Sequence, residues 1–323
     1  MESSSSLKNS DDISVSETNQ YKEIQLSNLE QKKNWHPAQN LHLFKGFWFY
    51  PTELEGLISS QEQFKPQPND IILCNYPKSG MTWLKSLCYA IMKRTQFTDS
   101  TANRLLTELP HNIVPFLETP VHNDLPLWAT HIPFTLLPNS IVKSNCKFIY
   151  ICRNPKDVLI SLWHFIATIG GSETIPLEEA FQNFCDGVSA FGPHWDHVLS
   201  YWEASLKYPE RVMVIKYEDL QADTCELVKR VAEFMGCGFS VEEERSGLVE
   251  RVVELCSFKS LSNLEVNKSK KCFDIWPIKF ENRAFFRKGE VGDWENYLTG
   301  EMATKLDEIA GMKFGGSGLS FTC

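Results

Sequence analysis

Two hydrophobic patterns alternate along most of this chain. Ile71-Ile-Leu-Cys74, Lys147-Phe-Ile-Tyr-Ile-Cys152 and Val212-Met-Val-Ile215 are short, nearly continuous apolar runs, the pattern of strands buried on both faces of a parallel sheet. Each is followed by apolar residues at helical spacing. After the first, past Pro77 and Gly80, come Trp83, Leu84, Leu87, Cys88, Ile91 and Met92. After the second, past the turn at Asn154-Pro155, a helix from Lys156 repeats Val158, Leu159, Leu162, Trp163 and Ile166. Trp195, Val198, Leu199 and Trp202 mark another helix, and Leu227, Val228, Val231, Phe234 and Met235 line the one after the third strand. Such stripes bury one helix face against a sheet. The alternation predicts an α/β fold: a single three-layer domain with a central, mostly parallel sheet flanked by helices.

Other stretches break this rhythm. Residues 1–27 are serine-rich and polar and read as a mobile leader, which leaves 28–323 as the domain. Leu41 to Tyr50 is dense in aromatic residues that need a core or a ligand pocket. From Phe97 to Pro138, prolines at 110, 115, 120, 126, 133 and 138 exclude long helices, and an irregular stretch of that length reads as binding loops or a lid. The net charge of −9 argues against nonspecific nucleic-acid binding, so an anionic ligand would need a local cluster of cations. No apolar run is long enough to cross a bilayer, and the N-terminus lacks the apolar core of a secretory signal. The ten cysteines include no Cys-x-x-Cys pair, which predicts buried reduced thiols, a cytoplasmic protein and no metal site.

Three segments carry cations in suggestive places. The loop between the first strand and its helix holds Lys78, Ser79 and Thr82 where backbone N–H groups and the helix dipole converge. It does not match the triphosphate loop Gly-x-x-x-x-Gly-Lys-Ser/Thr, and an ordinary strand-to-helix connection with a surface lysine would read the same way. Arg153 follows the second strand, with Ser161 in the next helix; it could fork onto a phosphate or simply pair with Asp157. Arg287-Lys288-Gly289 joins two charges to a residue that permits close backbone approach, though a solvated turn looks alike. Ligands of open α/β sheets sit beyond the carboxyl ends of the strands, so Tyr76 to Trp83, Arg153 and Tyr217 are expected on one rim. Among eight histidines, His164 reads as structural, and His194 and His197 as helix-surface or capping positions. His131, in Ala129-Thr-His-Ile-Pro133, lies in the proline-rich region.

Tyr76-Pro-Lys-Ser-Gly-Met-Thr-Trp83 resembles the 5′-phosphosulfate loop Tyr-Pro-Lys-Ser-Gly-Thr-Thr-Trp of the soluble sulfotransferases, with Met81 replacing a threonine. Arg153-Asn-Pro-Lys-Asp157 with Ser161 resembles the family's 3′-phosphate site, and Arg287-Lys-Gly-Glu-Val-Gly-Asp-Trp294 its Arg-Lys-Gly-x-x-Gly-Asp-Trp signature. The resemblance runs from about Leu29 to the C-terminus. Leu261 to Lys268 and Gly315 to Phe321 bring it nearest the plant branch that includes flavonol and steroid sulfotransferases. It implies a P-loop-like fold and transfer of a sulfuryl group from 3′-phosphoadenosine 5′-phosphosulfate (PAPS) to a hydroxyl of a small acceptor that is phenolic, flavonoid, steroid or similar. No metal, nucleic acid or membrane is implied as a partner.

The implied nucleotide site is Lys78, Ser79, Gly80, Met81, Thr82 and Trp83; Arg153 and Ser161; Tyr217; Cys256, Ser257 and Phe258; and Arg287, Lys288 and Gly289. Trp83, Tyr217 and Phe258 match adenine-stacking positions. His131 matches the family's base in Thr-His-x-Pro, with an expected pKa near ~6.5, and Lys78 would neutralise charge on the bridging oxygen. Phe44, Trp48, His131 and Trp163 are expected beside the acceptor. The departures are Met81, Ala129 where animal members carry lysine, a shortened stretch from Glu118 to His131, and an atypically apolar Lys270 to Lys279. They leave open a weakened enzyme that only binds nucleotide or a hydrophobic ligand. An ATP-dependent kinase is the more distant alternative. The dimerisation signature of animal relatives is absent, so the sequence leaves the oligomeric state undetermined.

Overall fold

Four parallel strands form the central sheet: β4 (Ile71–Cys74), β5 (Leu127–Thr130), β6 (Lys147–Cys152) and β7 (Val212–Lys216), in the order β5-β4-β6-β7. Ile71 pairs in register with Leu127 on one side and Lys147 on the other, and Phe148 pairs with Val212. The computed structural model describes residues 26–33, 35, 39–96, 103–119, 123–170, 175–268 and 281–321. The leader expected over 1–27 lies outside these but for Leu26 and Ser27, and the Lys270–Lys279 segment lies wholly outside them.

Consecutive strand residues point to opposite faces, and both faces are covered. Ile72, Cys74, Phe148, Tyr150 and Cys152 enter one apolar cluster, while Ile71, Leu73, Leu127, Ala129, Ile149 and Ile151 enter the other. This is why the strands read as continuous apolar runs. On the first face pack α1 (Pro51–Gln63), α3 (Pro155–Gly170), α4 (His194–Lys207) and α8 (Gly300–Phe314). On the second pack α2 (Met81–Lys93), α5 (Thr224–Met235) and α6 (Leu248–Leu255). A fully buried Leu or Ile in such a core contributes roughly 1.5–3 kcal/mol.

Two elements were not foreseen. β5 follows Pro126 in the proline-rich stretch, where only loops were expected; it is the edge strand and ends at Thr130, one residue before His131. The aromatic stretch folds as a separate antiparallel sheet of β1 (Gln31–Lys33), β2 (Asn40–Phe44) and β3 (Phe47–Phe49). Its hairpin turns on Lys45 and Gly46, with φ of 48° and 86°, the conformation that a two-residue turn of matching twist requires.

His194 and His197 correct the surface reading. Both are fully buried in α4, on the face shared with Trp195, Val198 and Tyr201. Burial pushes their imidazoles down, to about 3 and about 4, so both are neutral. The eight described cysteines are all unbridged, and no described helix is long and apolar enough to cross a membrane.

Candidate active site

Each parallel strand delivers a candidate residue to one rim. β4 opens into the loop that carries Lys78, β5 ends before His131, β6 before Arg153 and β7 before Tyr217. A cavity of about 320 Å³ lies there, and every catalytic and nucleotide-site residue expected from the sequence lines it except Ser79, which is buried. Phe44 and Trp48, expected beside the acceptor, belong instead to the core of the small sheet, and Trp163 packs on His164 and Tyr297. None of the three lines the cavity.

The β4–α2 loop is shaped for an anion. Lys78 has φ 69° and Gly80 has φ 116°. Left-handed residues so close together turn successive N–H groups to one side, at the start of α2. A methyl group on Gly80 would come within 2.8 Å of the Tyr217 ring. Lys78 Nζ lies 3.9 Å from the centre of the Phe165 ring. Burial and the charges of Arg287 and Arg153 push its amine down to about 7. Met81 is buried in the apolar cluster under α2.

Arg153 is nearly buried. It lies 3.3 Å from the Asp157 carboxylate and 4.3 Å from the centre of the Tyr217 ring, and it donates to the Glu290 carbonyl. The sequence reading of Arg153 as a partner of Asp157 therefore holds, and the residue also lines the cavity. Asp157 also accepts from the backbone N–H groups of Gly292 and Trp294, at 2.8 and 3.1 Å, which ties the basic segment to the start of α3. Ser161 faces the cavity from the same helix. Arg287 and Lys288 each reach Asp293 at 2.5 Å. Burial alone would raise the Asp293 carboxyl, but hydrogen bonds from Lys288 and Arg287 bring it to about 2.

The side wall is aromatic. Trp83 meets Tyr217 edge-on at 5.4 Å, and the Tyr217 hydroxyl donates to the Gly289 carbonyl at 2.9 Å. Phe258 is 39% exposed at the start of α7 (Phe258–Asn263), beyond Cys256 and Ser257. Gly289, at φ 70°, lies so close that a methyl group there would stand 2.6 Å from the Phe258 ring. Gly289→Ala is expected to displace that ring and to add roughly 1–2 kcal/mol of backbone strain. Titration with adenosine 3′,5′-bisphosphate (PAP) should then show binding weakened about tenfold; unchanged binding would remove Phe258 and Gly289 from the ligand wall.

His131 is held on three sides. Its Nδ1 is 3.0 Å from the Asn75 carbonyl, which can only accept, so Nδ1 carries the proton and Nε2 the lone pair. Its backbone N–H donates to Glu118 at 2.8 Å, and its carbonyl accepts from His197 Nε2 at 2.8 Å. Tyr150 donates to the other nitrogen of His197, at 2.9 Å. Burial pushes the His131 imidazole down to about 3; the Asn75 hydrogen bond opposes this and the charges of Lys85 and Lys78 reinforce it. The ordinary value expected from the sequence is therefore corrected. His131 is neutral across the neutral range.

Sequence reasoning missed several cavity residues: Tyr50, Glu53, His111, Phe116, Phe165 and Phe285. It also missed His197 behind His131. Glu53 and Glu118 are buried carboxyls, raised above the ordinary range by burial first of all. Among the described residues, no group of three or more His, Cys, Asp or Glu is placed to hold a metal ion.

Known proteins resemble this chain in sequence and fold. The sulfotransferase domain matches residues 68–318. Cytosolic sulfotransferase 17 of Arabidopsis thaliana is 45% identical over 92% of this chain and 89% of its own length. Flavonol 4′-sulfotransferase of Flaveria chlorifolia is 46% identical over 86% of this chain and 89% of its own. A solved mouse sulfotransferase complexed with PAP superposes with a TM-score of 0.64 at 26% identity, over 86% of this chain and 95% of that one. A cationic rim sharing its cavity with a neutral histidine, a domain match spanning the whole parallel sheet and relatives this similar lead to one conclusion: the chain belongs to the sulfotransferase family.

Proposed function

We propose that this sulfotransferase moves the sulfuryl group of PAPS to a hydroxyl of a small aromatic or polycyclic acceptor, with His131 as the base. The observation that carries the reading is the convergence of Lys78, Arg153 and Arg287 on one cavity in a chain of net charge −9. Around that cavity the buried donors Trp83 Nε1, Arg153 Nε and Arg287 Nε lack partners among the described residues. Buried donors without partners are costly, and a doubly phosphorylated nucleotide would satisfy them. PAP in the mouse relative supports the donor. The flavonol sulfotransferases among the relatives support the acceptor class, and their cytosolic namesakes support a cytoplasmic site of action.

In this reading Lys78, Ser79, Gly80, Met81 (through its backbone N–H) and Thr82 hold the 5′ end. Arg153, Ser161, Arg287, Lys288 and Gly289 hold the 3′-phosphate, and Trp83, Tyr217, Cys256, Ser257 and Phe258 wall the adenine. PAPS supplies the activated sulfuryl group. His131 Nε2 takes the acceptor proton, oriented by the Asn75 carbonyl. The Lys78 ammonium neutralises charge that develops at the bridging oxygen in a buried, low-dielectric setting.

Lys78 gives this reading a pH signature. Its amine lies near 7 without ligand, and an adjacent phosphate raises the pKa of a cation. Binding therefore takes up a proton above pH ~7, and affinity falls as pH rises from there, by at most about tenfold per unit. Calorimetric titration with PAP in buffers of different ionisation enthalpy tests both points. Weakening above neutrality with net proton uptake is expected. Constant affinity with no uptake would contradict the role of Lys78, and tighter binding of ATP than of PAP would contradict the nucleotide assignment.

A further inference from the structure

Lys85 lies in the middle of α2 and is fully buried. Desolvating an ammonium is expensive, and a methionine would fill the same space without that cost. Lys85 forms no ion pair among the described residues. Its Nζ is 3.0 Å from His111 Nδ1 and 3.5 Å from the centre of the Phe116 ring; burial pushes its amine well below the ordinary lysine value, and the Glu118 carboxyl opposes this through space. His111 comes from the one-turn helix Pro110–Ile113 and stacks on Phe285 at 4.1 Å. Its other nitrogen, Nε2, is 3.0 Å from Thr82 Oγ1. Thr82, His111, Phe116 and Phe285 all line the cavity.

These contacts fix the direction of each proton. A bound phosphate raises the pKa of a neighbouring cation, so with nucleotide in the cavity Lys85 is an ammonium, which has three donors and no lone pair, and His111 Nδ1 must accept. Burial and the charge of Lys85 push the His111 imidazole well below its ordinary value. The neutral ring then carries its single proton on Nε2 and donates it to Thr82 Oγ1. That leaves the hydroxyl's own proton turned away from His111, at the start of α2 where the loop N–H groups converge. Without the ammonium the imidazole can take the other tautomer. Nε2 then accepts, and the Thr82 proton turns back into the wall.

We propose that Lys85 and His111 are positioning residues: a hydrogen-bond relay that holds the Thr82 hydroxyl as a donor toward the 5′ end of the nucleotide. This rests on the reading of the cavity as a nucleotide site, and it assigns the buried lysine to ligand binding rather than to the core.

The test is a pair of double-mutant cycles on the full chain, read as PAP affinity. His111→Phe keeps an aromatic ring against Phe285 but has no nitrogens; Lys85→Met removes the ammonium; Thr82→Val removes the hydroxyl. In the wild-type background, His111→Phe and Lys85→Met are each expected to weaken PAP about tenfold. In the Thr82→Val background, each is expected to change affinity less than about twofold, because the hydroxyl they orient is gone. Equal losses in both backgrounds would overturn the relay, whether they arose from the field of the lysine or from a disturbed fold. So would no loss from His111→Phe in the wild type. Either cycle suffices if His111→Phe or Lys85→Met does not fold, and Thr82→Ala replaces Thr82→Val if that variant does not. A wild-type chain that does not bind PAP overturns the nucleotide reading and the relay with it; binding with equal losses overturns the relay alone.

Discussion

His131→Ala is expected to lower kcat by roughly 10²–10⁴, the range for loss of a general base, while PAP affinity stays close to wild type. The separation follows from the geometry. His131 reaches the cavity from β5, whereas the candidate nucleotide residues come from the β4, β6 and β7 rims and the segment near Arg287. The backbone of His131 is held by Glu118 and His197 through atoms that alanine keeps. The fold and the nucleotide wall should therefore survive. Initial rates at saturating donor, with PAP titration on the same preparation, check the claim. Near-normal turnover in a folded variant would remove His131 as the base. The neutral state of His131 also implies that kcat/KM has no acid limb near pH ~6.5 from this residue.

Lys78→Met is expected to damage both binding and rate. Loss of a charged hydrogen bond to phosphate costs roughly 1.5–3 kcal/mol, about ten- to a hundredfold in donor affinity. Loss of the cation at the bridging oxygen should lower kcat by a further 10²–10³ or so. Methionine is the informative replacement. It keeps the chain length against Phe165 and bears the left-handed backbone at position 78 no worse than lysine. A variant with intact affinity and rate would take Lys78 out of the site. A variant that lost affinity alone would restrict it to binding.

The parts of the fold legible in the sequence are those where hydrophobic pattern and burial coincide. Ile71–Cys74 and Lys147–Cys152 are strands with the predicted ends, and Val212–Ile215 runs one residue longer, to Lys216. Both faces of the sheet are covered, so every residue of these strands but the terminal Lys147 and Lys216 is apolar. Leu127–Thr130 was hidden because it is short, follows Pro126 and lies at one edge of the sheet. The small antiparallel sheet was hidden because its aromatic density masks any alternation.

The site divides along the same line. The cations and glycines of three segments were legible, because an anion needs them wherever they occur. The polar residues beneath them were not. Lys85, His194 and His197 sit where a pattern reader expects solvent, yet each is buried, and that burial is the first cause of its lowered pKa. His194 and His197 share a helical face with Val198 and Tyr201, so their spacing was the one available signal, and counting histidine as polar concealed it.

The most direct measurement incubates the purified chain with PAPS carrying radiolabelled sulfur and a panel of flavonol, phenolic and steroid alcohols, and follows the label. The account predicts label on at least one hydroxylated acceptor, one PAP released per sulfuryl moved, and loss of the transferred label when His131 is alanine. PAP bound tightly at the Lys78 cavity, with no label on any acceptor, would contradict it.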